Sequence, residues 1–74
     1  MREFSVVLRG YSRREVEDLF SRIDATLSDG AGANGVTVAD VKSARFHKQT
    51  RGYAPHEVDA AIDQAIRELE LHES

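Results

Sequence analysis

Two stretches of the chain carry apolar residues at helical spacing, and they predict two amphipathic helices. The first runs from Ser12 to about Leu27, with its apolar stripe at Val16, Leu19, Phe20, Ile23 and Leu27. The second runs from Pro55 to about Leu71, with a longer stripe at Val58, Ala61, Ile62, Ala65, Ile66 and Leu69. Charged residues lie mostly off both stripes. We therefore expect the two helices to pack against each other and to form the core.

Residue types typical of helix starts support both helices and indicate a third, shorter one. Ser12 and Glu15 have the spacing of a capping box, and Pro55 suits the first position of a helix. Thr37 and Asp40 give a weaker start signal. They predict one or two helical turns before the second long helix.

Two short segments favour extended structure. Residues 4–8 alternate apolar and polar positions, and residues 45–50 alternate less cleanly. We expect these segments to pair as a two-stranded ribbon. Gly10 is expected to end the first segment, and Gly10 and Gly52 are expected to supply positive φ at the turns into the helices.

The second half of the chain repeats the first. Arg9-Gly10-Tyr11 returns as Arg51-Gly52-Tyr53, 42 residues later, and the surrounding phenylalanine, glutamate and valine positions keep the same offset. Such a repeat indicates a duplicated supersecondary unit. We predict a single domain, 1–74, made of repeat one (4–27), a glycine-rich linker (28–36) and repeat two (37–71).

Composition narrows the class of protein. The 74 residues are 41% hydrophobic and 31% charged, with no cysteine and a net charge of −3. These values are typical of one small soluble domain, and they argue against non-specific nucleic-acid binding. No apolar run is long enough to cross a bilayer, and the N-terminus lacks the apolar core of a signal peptide. We expect a cytoplasmic protein without disulfides.

The sequence contains little that would support catalysis. Its three histidines lack the spacing of metal ligands, no cysteine nucleophile is present, and no glycine-rich phosphate loop follows a strand. We expect no enzyme activity, no cofactor and no metal.

One group of residues resembles a known family, the N-terminal domain of DivIVA and GpsB proteins. These residues are Thr37, Asp40, Val41, Phe46, Arg51, Gly52, Tyr53, Glu57, Val58, Asp59 and Ile62. The family pattern is a short helix, an extended segment with phenylalanine, Arg-Gly-Tyr, and a helix that opens with Glu-Val-Asp or similar. Residues 4–20 resemble the same pattern without the leading helix, so the resemblance covers most of the chain.

The resemblance implies a fold and a role. Family members are bacterial cell-division and polar-growth scaffolds whose N-terminal domains form parallel, intertwined homodimers continued by a coiled coil. This chain instead carries two copies and stops near Ser74, before any long heptad region. The implied fold is α+β and mostly helical, an intramolecular imitation of the family dimer. The implied role is a non-enzymatic scaffold in the cytoplasm, or peripheral to the membrane at the septum or pole. The helix direction and homo-oligomerisation stay open.

The resemblance also implies a partner-binding site. Family members grip an arginine from the cytoplasmic tail of a cell-wall synthase with a tyrosine and acidic residues. The matching positions are Tyr53, Asp59 and Asp63 in repeat two, and Tyr11, Glu17 and Ser21 in repeat one. Asp59 and Asp63 are four residues apart on one helix face, where two carboxylates can accept a guanidinium. Repeat two is therefore the better candidate. The alternative is that the tyrosines only pack and the acids are a solvated flank.

A membrane surface is the second implied target. In DivIVA-like members an exposed phenylalanine before Arg-Gly-Tyr enters the bilayer, and Leu8 and Thr50 take that place here. Leu8 and Arg9, with Lys48 and Arg51, form the candidate contact to anionic lipid. The alternatives are that Leu8 closes one end of the core, or that the domain is only a folded spacer.

Overall fold

The computed structural model describes residues 3–29 and 35–73, and it is an α+β fold that is mostly helical, as expected. Its elements in chain order are β1 (Val6–Tyr11), α1 (Arg13–Asp29), α2 (Val38–Lys42), β2 (Lys48–Tyr53) and α3 (Pro55–Glu73). The bounds of the long helices and the short α2 agree with the sequence patterns. Most of the expected linker lies outside the described residues.

The two strands form a ribbon that joins the repeats. Val6 lies opposite Tyr53 and Tyr11 opposite Lys48, so the strands run in opposite directions along most of their length. The ladder is irregular, and Tyr11 is also matched with Tyr53, its own counterpart in the other repeat. The Ser12 N–H donates to the His47 carbonyl (2.8 Å) at one end, and the Ala54 N–H donates to the Ser5 carbonyl (2.9 Å) at the other.

Both strands lie further along the chain than the alternating patterns indicated. The expected ranges of 4–8 and 45–50 are therefore wrong, since each strand continues through its Arg-Gly-Tyr segment. The physical reason is that the two glycines are where the strands approach most closely. A Cβ placed on Gly52 would lie 2.5 Å from the Gly10 carbonyl carbon, a distance that a real side chain does not reach.

The glycines are thus required for space and not for a left-handed backbone. Neither Gly10 nor Gly52 has a positive φ, contrary to the expectation. Among the described residues other than glycine, only Arg51 does, at 61°. Arg51, directly before the crossing in β2, therefore has a left-handed backbone, whereas the equivalent Arg9 of β1 does not.

The helix starts differ from expectation in one respect. The Glu15 N–H donates to the Ser12 hydroxyl (3.4 Å), but the reciprocal half of that capping box is missing because the Glu15 carboxylate binds His47 instead. The box at Thr37 and Asp40, which had the weaker signal, is complete. Pro55 occupies the first position of α3, as predicted.

The two long helices run in the same direction. Their starts lie side by side. The Tyr11 hydroxyl, just before α1, donates to Asp59 near the start of α3, and the Tyr53 hydroxyl, just before α3, donates to Glu17 near the start of α1. Helices of 17 and 19 residues are about 25 and 28 Å long at 1.5 Å per residue. If they pointed away from each other they would exceed the 38 Å length of the molecule. The repeats therefore form a parallel pseudo-dimer within one chain.

The core lies between the helices and is closed by α2. Its buried members are Val16, Phe20, Ile23, Val36, Val41, Val58, Ala65 and Leu69. The other residues of the predicted stripes are partly buried against it. Val36 was expected in the linker, but its N–H donates to the buried hydroxyl of Thr26 (3.0 Å), which in turn donates to the Arg22 carbonyl (2.8 Å). This pair fixes the entry into α2.

Candidate functional site

Each tyrosine of the repeated motif binds a carboxylate of the other repeat. The Tyr11 hydroxyl donates to Asp59 Oδ1 at 3.0 Å, and the Tyr53 hydroxyl donates to Glu17 Oε2. Tyr11 and Tyr53 are equivalent positions, and so are Glu17 and Asp59. The sequence-based site grouped Tyr53 with Asp59. The structure places them in separate pairs, each made of one strand end and the first turns of the opposite helix.

Both phenols are held in their protonated form. The pKa of Tyr53 is raised, first by its hydrogen bond to Glu17 and then by burial. The pKa of Tyr11 is raised, first by burial and then by the hydrogen bond to Asp59, while the nearby Arg45 charge lowers it. Because both pKa values lie above 10.0, each hydroxyl is a hydrogen-bond donor at neutral pH. The paired carboxylates are left as acceptors for a second donor.

A groove accompanies each pair. Groove one has a volume of about 830 Å³ and is lined by Glu3, Phe4, Val16, Glu17, Phe20, Ser21, Asp24 and Tyr53. Groove two has a volume of about 520 Å³ and lies around Tyr11, Phe46, Asp59, Ile62 and Asp63. Almost every lining position of groove one has its counterpart in groove two. The predicted residues Asp59, Asp63 and Tyr11 therefore share groove two, while Tyr53, Glu17 and Ser21 share groove one.

The apolar walls of the two grooves differ. In groove one the Phe4 ring lies 5.7 Å from the Phe20 ring and 5.3 Å from the Tyr53 ring, measured between centroids. In groove two Phe46 contacts Tyr11 at 5.1 Å, and Ile62 takes the place of Phe20. Groove one thus has three aromatic rings in contact, a surface that suits a flat or cationic group.

The charges of the two grooves also differ. The described lining of groove one contains three carboxylates, Glu3, Glu17 and Asp24, and no lysine or arginine. The charge of Arg13, outside this lining, lowers the pKa of Tyr53. Groove one is the acidic one.

Groove two contains its own cations. Lys42 and Arg45 line it beside Asp59 and Asp63, so that its formal charges balance. In addition, Lys48 Nζ lies 4.6 Å from the centre of the Tyr11 ring, where the equivalent residue beside Tyr53 is Val6. Lys42 is the last residue of α2, Arg45 lies between α2 and β2, and Lys48 is the first residue of β2.

Sequence reasoning missed the part that Phe4, Phe20 and Asp24 play in groove one. The signal that pointed to repeat two was the pair Asp59 and Asp63, but it did not reveal that Lys42 and Arg45 lie next to them. The first copy of the repeat has Phe20 where the second copy has Ile62. This difference was the clue in the sequence that the two grooves differ.

A second pair of equivalent contacts holds the helix starts to the ribbon. Glu15 accepts the His47 N–H (2.7 Å), and His47 Nδ1 lies 2.8 Å from its other oxygen. Glu57 accepts the Ser5 N–H at 2.8 Å. These hydrogen bonds, led by those from the backbone N–H groups, lower the pKa of both carboxyls. Both glutamates are therefore occupied in fixing the fold.

The outer part of the ribbon is apolar and basic. Leu8 is 78% exposed and Val6 is 51% exposed, so Leu8 does not close the core. Arg9, Lys48 and Thr50 line a shallow concavity beside them, and the exposed Arg51 lies between the residues matched with Val7 and Arg9. The four predicted membrane-contact residues therefore all lie on the ribbon, with Leu8, Arg9 and Arg51 near its middle and Lys48 at the end that pairs with Tyr11.

Residues 3–29 and 35–73 hold no group of three or more side chains able to bind a metal ion. No helix in the same ranges has the length and apolar character required to cross a bilayer.

No family model, curated protein or solved structure matches the chain.

Proposed function

We propose that this protein is a non-enzymatic interaction module that binds a cationic segment of a partner protein in groove one. The observation that carries the proposal is the Tyr53 hydroxyl bound to Glu17 in the lining of an open groove that also includes Phe4 and Phe20. Tyr53 occupies one oxygen of Glu17, and the groove lining offers carboxylates and aromatic rings together.

An arginine side chain fits this chemistry better than a lysine. A guanidinium stacks on aromatic faces and donates paired hydrogen bonds to a carboxylate, whereas an ammonium acts as a compact, strongly hydrated charge. Groove one presents both kinds of contact within one cavity. The ligand class is therefore an arginine-bearing tail.

The resemblance to DivIVA and GpsB proteins suggests where such a tail comes from. It supports a role as a scaffold in bacterial cell division or polar growth, with cytoplasmic tails of division or cell-wall proteins as partners. The motif residues Arg51, Gly52 and Tyr53 carry that part of the proposal. The location would be the cytoplasm, near the septum or pole.

A titration tests the proposal. A capped peptide with one arginine is added to wild type and to Glu17→Gln, and binding is followed by calorimetry. We expect the substitution to weaken binding by about tenfold or more, because a charge-assisted hydrogen bond to the guanidinium is lost. The matched control is Glu68→Gln, which makes the same change on α3 and outside both groove linings.

The lysine version of the peptide provides a second comparison. We expect weaker binding, since the paired hydrogen bonds and the ring stacking are reduced. Equal affinity of Glu17→Gln and wild type for the arginine peptide would remove groove one as the site. A wild type that binds neither peptide would remove the proposed function.

The exposure of Leu8 favours a second candidate, binding to an anionic membrane surface. Burying this side chain contributes roughly 1.5 to 3 kcal/mol, and each nearby cation contributes about 1 kcal/mol. Arg9, Lys48 and Arg51 are placed to supply those charges. The partner in this case is phospholipid and not protein.

Co-sedimentation with vesicles separates the two candidates. We expect wild type to bind vesicles rich in phosphatidylglycerol, and the double variant Leu8→Ser, Arg9→Glu to lose that binding. Leu71→Ser is a matched control, because Leu71 is also 78% exposed but lies near the end of α3. Retention of binding in the double variant would exclude Leu8 and Arg9 as the membrane contact.

A further inference from the structure

The two grooves are equivalent in the repeat, yet one of them contains an arginine from the chain itself. Arg45 lines groove two together with Tyr11, Asp59 and Asp63. Its counterpart in repeat one is Glu3, which lines groove one. A cation thus stands in one groove at the position where a carboxylate stands in the other.

Hydrogen bonds fix this arginine at the rim of the groove. Arg45 Nη1 donates to the Ala44 carbonyl at 2.9 Å and to the Lys42 carbonyl at 3.5 Å. These carbonyls lie at the end of α2, which packs against α3 through Val41. The guanidinium is therefore held by the element that forms one wall of groove two.

The charge of Arg45 acts on Tyr11, the tyrosine of groove two. It lowers the pKa of Tyr11, whereas Asp59 raises it. Lys42 in the lining and Lys48 over the Tyr11 ring add to the same positive field. An incoming guanidinium would meet three like charges in groove two, whereas the described lining of groove one contains no lysine or arginine.

We propose that Arg45 excludes cationic ligands from groove two by its charge, so that each chain binds one such ligand and binds it in groove one. This inference rests on the proposed function. It adds a regulatory feature to that function: α2 and Arg45 make two equivalent sites unequal. A segment that drew Arg45 away would open the second site.

The test uses the capped arginine peptide and the intact chain. Calorimetry gives the number of ligands per chain. NMR chemical-shift changes of the backbone amides show which groove is occupied: Glu17 and Tyr53 report on groove one, and Asp59 and Tyr11 report on groove two. Wild type should bind one peptide with shifts in groove one. Arg45→Ala should bind two, with groove-two affinity raised by about tenfold or more, the effect of removing one close like charge.

A double variant isolates groove two. Glu17→Gln with Arg45→Ala should bind one peptide, with shifts at Asp59 and Tyr11, and should lose it when Asp59→Asn is added. The control is Arg14→Ala, which changes the net charge equally but lies outside both groove linings and should still bind one peptide.

The outcomes separate this inference from the proposed function. If wild type binds one peptide in groove one and Arg45→Ala also binds only one, the inference is overturned and the function stands. If wild type binds no peptide, both groove one as the site and this inference are overturned, whatever the double variant binds. If wild type binds its peptide in groove two, the inference is overturned, because Arg45 then does not exclude the ligand.

Discussion

A methyl group on Gly52 would test the crossing of the two strands most directly. In Gly52→Ala the new carbon would lie 2.5 Å from the Gly10 carbonyl carbon and 2.7 Å from its oxygen. Non-bonded heavy atoms settle at about 3.5 to 4 Å, so the strands would have to move apart by about 1 Å. The contact is with backbone, which cannot rotate away as a side chain can.

The loss of stability follows from the strain of overpacking and from the hydrogen bonds that break when the strands separate. Overpacking of this kind costs about 1 to 3 kcal/mol. The hydrogen bonds that close the ribbon at Ser12 and Ala54 are each worth about 0.5 to 1.5 kcal/mol. The total is therefore about 2 to 6 kcal/mol. A domain of 74 residues has a stability of about 4 to 11 kcal/mol, so the variant should lose a large part of it.

Thermal and urea unfolding followed by circular dichroism measure this loss. At about 4 to 8 °C per kcal/mol, Tm should fall by at least about 8 °C. Gly10→Ala should behave alike, because its Cβ would lie 2.5 Å from the Gly52 carbonyl oxygen. Thr50→Ala, on the same strand and exposed, is the control and should change stability by less than about 0.5 kcal/mol.

Two results would refute the reasoning. One is a Gly52→Ala protein that melts within a degree or two of wild type, which would mean that the strands do not cross at the glycines. The other is a severe effect at one glycine and none at the other, which would contradict the equivalence of the two repeats.

The remaining predictions concern the core, the helix starts and the exposed tip. Ile23→Ala should cost about 2 to 5 kcal/mol in urea unfolding, since Ile23 is fully buried between the helices. Glu15 and Glu57 have pKa values lowered from 4.5, so the stability they contribute is present above pH 4.5 and is lost as the pH falls through their folded pKa values. Urea midpoints between pH 7 and pH 3 should show this fall, and it should be smaller in Glu15→Gln. Leu8→Ser should leave Tm almost unchanged, because the side chain is 78% exposed.

Each of these predictions has a control and a result that would contradict it. Ala60→Ser, on the exposed face of α3, is the control for Ile23→Ala. If both variants lost equally little stability, the placement of Ile23 in the core would be contradicted. Glu70→Gln, at an exposed glutamate of α3, serves for Glu15, and an unchanged pH profile in Glu15→Gln would show that its bonds to His47 do not stabilise the fold. A large loss of stability in Leu8→Ser would show that this residue packs in the core.

Much of the fold was predictable because it depends on local patterns. The apolar stripes that end near Leu27 and Leu69 gave the two long helices, and Pro55 gave the start of α3. The strands were displaced because alternation stops at Leu8, whereas the pairing continues to Tyr11 by backbone hydrogen bonds that any residue can make. The capping box of Glu15 is incomplete because its carboxylate accepts the His47 N–H, which belongs to a segment distant in sequence.

The candidate site was predictable in its residue types but not in its grouping. Tyr53 and Asp59 belong to one repeat and are six residues apart, so sequence reasoning placed them together. The structure separates them because the ribbon crosses, and each tyrosine then reaches the helix of the other repeat.

By itself the sequence determined that the chain is a duplicated unit with two amphipathic helices and an Arg-Gly-Tyr segment before each. Only the tertiary structure decided which tyrosine meets which carboxylate and which groove is acidic. The physical reason is that periodicity and capping act within a few residues of the chain. The contact between Gly10 and Gly52, and the position of Arg45 beside Asp59, join residues far apart in sequence, and they exist only once the two repeats have folded on each other.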